Sequence, residues 1–391
     1  MEKQFIRSLT PLRGIAALFV VILHTTTSPL SNLGIFFSKH TAFFLNGYLW
    51  VDFFFILSGF ILAHNYANLF LSGISPFSYK KFIFARFARI YPLHLFVLSA
   101  FVGLELIKLI KELIIHGVSG YMAVDLGEDA PFSGSRSLFT LFTNTFLVQA
   151  LTIDPRATSW NHPAWSISTE WHMYLLFPFF LPFFYKFSRL TLSSVVVFAG
   201  ILFGLFIIAQ QTHWQLDIAG FIGLARCILE SAFGVMIYRL YQDQTLQHLY
   251  KKGSVFILSL VWIGIVMHFN FQDVLIIPAF ALLILSASHN EGIYSKFLNS
   301  GPLTFLGDIS YSIYMVHILA LNLTAMFWWK TFHTEFGVQF GLLESLGALF
   351  VFIAITLGLS TLTYKYVELP MRNFLKQTSF AKRYIFQTQS A

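Results

Sequence analysis

Ten apolar runs constrain this chain more than any other feature. They lie near 12–31, 45–65, 90–109, 163–185, 191–209, 218–240, 254–269, 272–288, 303–327 and 342–364. A bilayer core about 30 Å thick takes about 20 apolar residues in helical form. Lipid offers backbone groups no partner, so only helices and closed barrels cross it. Of 391 residues, 56% are hydrophobic and 11% charged, where a soluble domain carries about 25% charged residues. The expected fold is all-α, a polytopic membrane bundle of about ten transmembrane helices. Residues 138–151 are apolar but too short to span. Counting them as a span would turn every later basic loop outward, so they read as a re-entrant or interfacial segment.

The charge pattern then sets an orientation. With the N-terminus inside, the cytoplasmic segments collect Lys3, Arg7, Arg13, Lys80, Lys81, Arg86, Arg89, Lys186, Arg189, Arg239, Lys251, Lys252, Lys296, Lys365, Arg372, Lys376, Lys382 and Arg383. Outside fall Lys39, Lys108, Lys111, Arg136, Arg156 and Lys330. This is the positive-inside bias, with both termini cytoplasmic. The net charge of +7 therefore reports topology and calls for no nucleic-acid partner. The stretch 112–137, with Asp125, Glu128 and Asp129, reads as an external loop. The single Cys227 excludes an intramolecular disulfide and a cysteine-rich metal site, and no metal is expected. Lys3, Arg7 and Arg13 before an apolar core mimic a signal peptide, but no small-x-small site follows, so the first helix reads as uncleaved.

Within this frame a few ionisable residues stand out. Arg13 and His24 are eleven residues apart, close to three helical turns, so they share a face with about 16 Å between them. An ionisable group at such depth is a functional candidate by default. Asp52, Glu170, His172, Arg226 and His317 fall at similar depth in the outer half of the membrane, and five helices contributing to one level suggest a shared polar cavity. Plainer readings stand beside this one. His172 and Asp52 are also explained as interhelical packing groups, and Tyr311 and Tyr314 as interface packing. Arg226 and Glu230, four apart, are placed to neutralise each other. Trp160, Trp165 and the 112–162 loop form either a sugar platform or an aromatic belt. His268 and Asp273 have the spacing of a glycerolipid-acyltransferase pair but sit in a short external loop, so the match reads as coincidence. At the inner surface Arg86 and Arg89 share a helical face beside Lys80 and Lys81. Arginine forks suit phosphates, and a topological anchor is the alternative.

Several of these residues, in order, resemble the acyltransferase-3 family of integral membrane acyltransferases over nearly the full length. Arg13 and His24 match its basic-to-histidine signature, and Asp52-Phe53-Phe54-Phe55-Ile56-Leu57-Ser58-Gly59-Phe60 its second-helix motif. Arg86 and Arg89 match its paired arginines. Trp165-Ser166-Ile167-Ser168-Thr169-Glu170, Ser310-Tyr311-Ser312-Ile313-Tyr314-Met315-Val316-His317 and Glu368-Leu369-Pro370-Met371-Arg372 are similar to three further motifs. The resemblance implies a membrane acyltransferase domain over 1–372 with a short basic tail over 373–391, a stand-alone member without the fused esterase-like domain. It implies acyl transfer from cytosolic acyl-CoA, usually acetyl-CoA, to a hydroxyl of a carbohydrate or glycolipid acceptor at a bacterial inner membrane.

On that reading Arg13, Arg86 and Arg89 hold the CoA phosphates. His24 is the base, Asp52 or Glu170 orients it, and His317 belongs to the same catalytic group. Arg226, Tyr311 or Tyr314 would stabilise the oxyanion, and Trp165 would contact substrate. An acyl-enzyme on His24 or a serine is the other route. A proton-coupled transporter or lipid flippase is the competing function, although no inverted repeat is visible and paired arginines have no obvious place in transport. A non-catalytic sensor is the third.

Overall fold

The computed structural model describes every residue except 1–5, 124–129, 153–155, 187–190, 214, 290–292 and 379–391. Lys3, Asp125, Glu128, Asp129, Arg189, Lys382 and Arg383 therefore lie outside the described residues. The described chain is all helical. In order it forms α1 Leu9–Thr27, α2 Ser31–His40, α3 Trp50–Phe70, α4 Pro76–Ala123, α5 Leu138–Thr145, α6 Ala164–Lys186, α7 Leu192–Gln211 and α8 Gly220–Gln242. There follow α9 Gln247–Tyr250, α10 Gly253–Phe269, α11 Ile276–Ser288, α12 Ile293–Leu298, α13 Gly301–Asp308, α14 Ser310–Phe332, α15 Leu342–Thr363, a π turn Tyr364–Glu368 and α16 Leu369–Gln377.

Seven helical stretches among the described residues are long and apolar enough to cross a membrane. The other three expected runs correspond to the more polar 23-residue α6 and to the shorter apolar α10 and α11. Residues 138–151 form only the eight-residue α5 and a 3-10 turn at Gln149–Leu151. Eight residues rise about 12 Å, too little to span. Leu138, Phe139, Phe142 and Phe146 of this segment are exposed.

The helices sort into an enclosed set and a lipid-facing set. α3 and α8 are mostly buried, whereas α7 and α15 expose Val195, Val196, Phe203, Phe350 and Val351. Apolar side chains pointing outward suit hydrocarbon, where packing and close backbone approach hold helices together. α3 and α8 meet through small residues. A Cβ at Gly59 would collide with the Ser231 carbonyl, and one at Gly234 with the Ile56 carbonyl. Ser231 Oγ donates to Phe55 O at 3.2 Å across the same seam. α1 and α13 cross in the same manner, with Gly307 against the Thr10 backbone and Gly14 against Leu306.

Three boundaries differ from expectation. The first helix ends at Thr27 and not near 31. Thr25, Thr26 and Thr27 bond back to carbonyls of the preceding turn, and Pro29 disfavours helical geometry at Ser28. His24 consequently sits in the last turn of α1. The third helix runs unbroken over Pro76–Gly117, about 63 Å, because its first turns, with Lys80, Lys81, Arg86 and Arg89, continue past the apolar run. It breaks at Gly117, where φ is 66°. The ninth run divides at Ile309 into α13 and α14.

Candidate active site

A cavity of about 290 Å³ opens between α1, α3, α4, α6 and α14. Its α3 wall extends from Val51 to Asn65, about 21 Å of helix rise. Arg13, Arg86 and Arg89 line it together with Ser58, Glu170, Tyr174, Tyr311 and Tyr314. Arg86 Nη2 donates to Tyr66 Oη at 2.9 Å, and its guanidinium lies 5.2 and 5.8 Å from the Tyr66 and Tyr174 ring centres. Its Nε is buried without a hydrogen-bond partner. Among the described residues, none of the three arginines has a carboxylate oxygen within 4 Å. Cations gathered in a cleft without paired carboxylates are suited to an anionic ligand.

Farther along the wall, Ser58 Oγ donates a short hydrogen bond to Glu170 Oε1. Tyr311 Oη donates to the Ile90 carbonyl at 2.6 Å, tying α14 to α4 beside the arginines. Tyr314 Oη and Ser166 Oγ lie 2.7 Å apart. The Tyr314 ring packs against Phe54, with centres 5.9 Å apart, and on another side lies 6.2 Å from the His317 ring.

Beyond Tyr314 three histidines meet. The His24 ring is 5.2 Å from His317, nearly parallel to it, and 4.9 Å from His162. His317 is buried, His24 is half-buried and His162 is exposed, so the cluster reaches the surface through His162. His317 Nδ1 faces the Ile313 carbonyl at 3.2 Å. A carbonyl only accepts, so Nδ1 carries the proton and Nε2 presents its lone pair. That Nε2 is buried and has no hydrogen-bond partner. The segment before α6 delivers His162. Asn161 Nδ2 donates to the Met315 carbonyl on α14 at 3.0 Å, and Trp160, with φ of 61°, donates from Nε1 to Thr140 Oγ1 at 3.0 Å. Asn144, Gln149 and Ser168 add buried bonds within the same fold-back.

The expected single polar cavity is thus three separate groups, because depth along a helix leaves open which neighbour each face meets. Glu170 belongs with Ser58 and the arginine cavity. His24 and His317 meet each other. Asp52 pairs with Arg226, whose Nε lies 3.5 Å from Asp52 Oδ1 and 3.9 Å from Glu230 Oε1. Neither carboxylate expected to orient His24 has it as a partner. Arg226 is buried against Phe55 and Trp165, 5.6 and 5.4 Å from their ring centres. It does not line the cavity, whereas Tyr311 and Tyr314 do. Trp160 and Trp165 are both buried, so neither offers a sugar platform. Trp165 serves instead as a face for Arg226. His172 Nδ1 is tied to the Ser168 carbonyl at 2.8 Å. Asp273 accepts from the Leu216 amide and Tyr48, while His268 meets Thr41. Both therefore brace connections between helices.

Sequence reasoning passed over His162, because a histidine in a polar connection has no helical phase to mark it. Ser58 and Glu368 stand inside motifs, but spacing alone assigns neither a role. Ser312 Oγ donates to the buried Glu368 Oε2 at 2.8 Å.

A family model described as an acyltransferase domain matches residues 6–365. A curated protein of Rhizobium radiobacter, protein 2 in the picA locus, is 43% identical over 89 residues. That stretch is 22% of this chain and 39% of the relative, so the chain spans well under two thirds of that protein's length. No solved structure matches. Six ordered motifs, the helical membrane bundle and a family match over nearly the whole chain agree: the protein belongs to the acyltransferase-3 family of integral membrane proteins.

Proposed function

We propose that the protein moves an acyl group, in the first instance acetyl, from cytosolic acyl-CoA to a carbohydrate hydroxyl presented on the opposite side of a bacterial inner membrane. The observation that carries this reading is the cavity along α3. It begins at unpaired arginines and ends at Tyr314, which contacts the histidine cluster. In the proposed orientation both termini and the arginine end face the cytoplasm. Arg13, Arg86 and Arg89 bind the donor's phosphates, and the pantetheine arm lies along α3 with its thioester toward Tyr314.

The chemistry then needs one base and one oxyanion donor. The acceptor reaches His24 past the exposed His162. His24 takes the hydroxyl proton as the oxygen attacks the thioester carbonyl. The tetrahedral oxyanion is stabilised by the Tyr314 hydroxyl, held by Ser166. Collapse breaks the carbon–sulfur bond, the imidazolium returns its proton to the thiolate, and CoA and an O-ester leave. His317 Nε2 accepts a hydrogen bond from the acceptor and positions it.

The test uses inside-out membrane vesicles containing the protein, supplied with acetyl-CoA labelled in the acetyl group. Base-labile label should enter the carbohydrate fraction with stoichiometric release of CoA. No transfer from acetyl-, propionyl- or butyryl-CoA would overturn the donor assignment, and label confined to protein or phospholipid would overturn the acceptor class.

A further inference from the structure

We propose that α16 completes the donor site, with Arg372 and Lys376 binding the 3′-phosphate of the acyl-CoA outside the pyrophosphate held by Arg86 and Arg89. This rests on the acyl-CoA reading above. The two residues are one turn apart and share a face of α16. α16 packs against α4, the helix that carries Arg86 and Arg89, and Arg372, Arg86 and Arg89 lie within electrostatic reach of Lys376. Arg372, Arg89 and Arg13 all act on Glu368, whose carboxylate already accepts from Ser312.

Arg13, Arg86, Arg89, Arg372 and Lys376 thus converge, and among the described residues none has a carboxylate oxygen within 4 Å. These five cations outnumber the nearby carboxylates of Glu170 and Glu368; like charges held together oppose one another, and a polyanion relieves that repulsion. The buried, unpartnered Arg86 Nε is a second sign that a ligand is missing from this group. The radial order fixes the assignment. Arg86 and Arg89 line the cavity, whereas Arg372 is half-buried and Lys376 exposed. A ligand that threads its uncharged arm inward leaves its outermost phosphate at α16.

An anionic lipid headgroup shares this phosphate chemistry, so the experiment separates the two sources. CoA and dephospho-CoA are titrated into the full chain in phosphatidylcholine nanodiscs, with and without phosphatidylglycerol. The wild type should prefer CoA by about tenfold or more, the scale of one charge-assisted contact. Arg372→Gln and Lys376→Gln should each move that ratio toward one by weakening CoA alone, and Arg372→Lys should recover part of it. Arg86→Ala should weaken both ligands. Tight CoA binding with an unchanged ratio in both glutamine variants overturns the proposal while leaving the donor reading intact. An unchanged ratio with lost phosphatidylglycerol association assigns α16 to lipid and also overturns it. Failure of the wild type to bind either ligand defeats the donor reading and this one together.

Discussion

His24→Ala is expected to lower acyl transfer by on the order of 10²–10⁴-fold, the usual contribution of a positioned general base. CoA affinity should stay near wild type, because the arginines proposed to hold it lie apart from the histidine cluster. The placement supports a split of this kind. His24 is half-buried in the last turn of α1, between a buried histidine and an exposed one. Its replacement removes a ring from a contact between three elements but leaves the Gly14 and Gly307 crossing of α1 and α13 untouched. Insertion and thermal stability should therefore change little. His24→Gln keeps hydrogen bonding without a base near neutral pH, so it should be as inactive as alanine. The check is the initial rate of CoA thiol release at saturating donor, with CoA titration in parallel. Wild-type turnover in both variants would remove His24 from the chemistry.

Arg86→Ala and Arg89→Ala should each weaken CoA binding by roughly 10- to 100-fold, since hydrogen bonds to charged groups are worth about 1.5–3 kcal/mol. Arg86 is the sharper case. Tyr66 holds one nitrogen, and the Tyr66 and Tyr174 rings flank the guanidinium, so the group is oriented before any ligand arrives. Lysine at 86 keeps the charge and loses the planar fork, so it should restore only part of the affinity. Titration of CoA at two salt concentrations is the measurement. Wild-type affinity in both alanine variants would leave the pair as a topological anchor.

Much of the framework was legible from sequence. Helix length and apolar content follow from the bilayer's thickness, and the short 138–151 run could be set apart on length alone. The eleven-residue spacing marked Arg13 and His24 on α1; in the fold Arg13 lines the cavity and His24 meets His317. Grouping was not legible. Periodicity gives a residue's height and face but not the helix that face meets, so Asp52, Glu170 and His24 looked like one site. In the fold Asp52 meets Arg226, Glu170 meets Ser58 and His24 meets His317. The early end of α1 was readable in principle from three threonines followed by Ser28-Pro29. His162 was not, because its position depends on Asn161 reaching the α14 backbone 154 residues away.

With the donor along α3 as proposed, the acyl group travels from the arginines to Tyr314, at the edge of the histidine cluster. The most direct measurement is an experimental structure of the protein with CoA bound. The expected result is phosphates on Arg86 and Arg89 and the CoA sulfur within the cavity near Tyr314, on the side facing His317 and His24. CoA seated at the histidine surface, or with its sulfur directed away from α3, would contradict it.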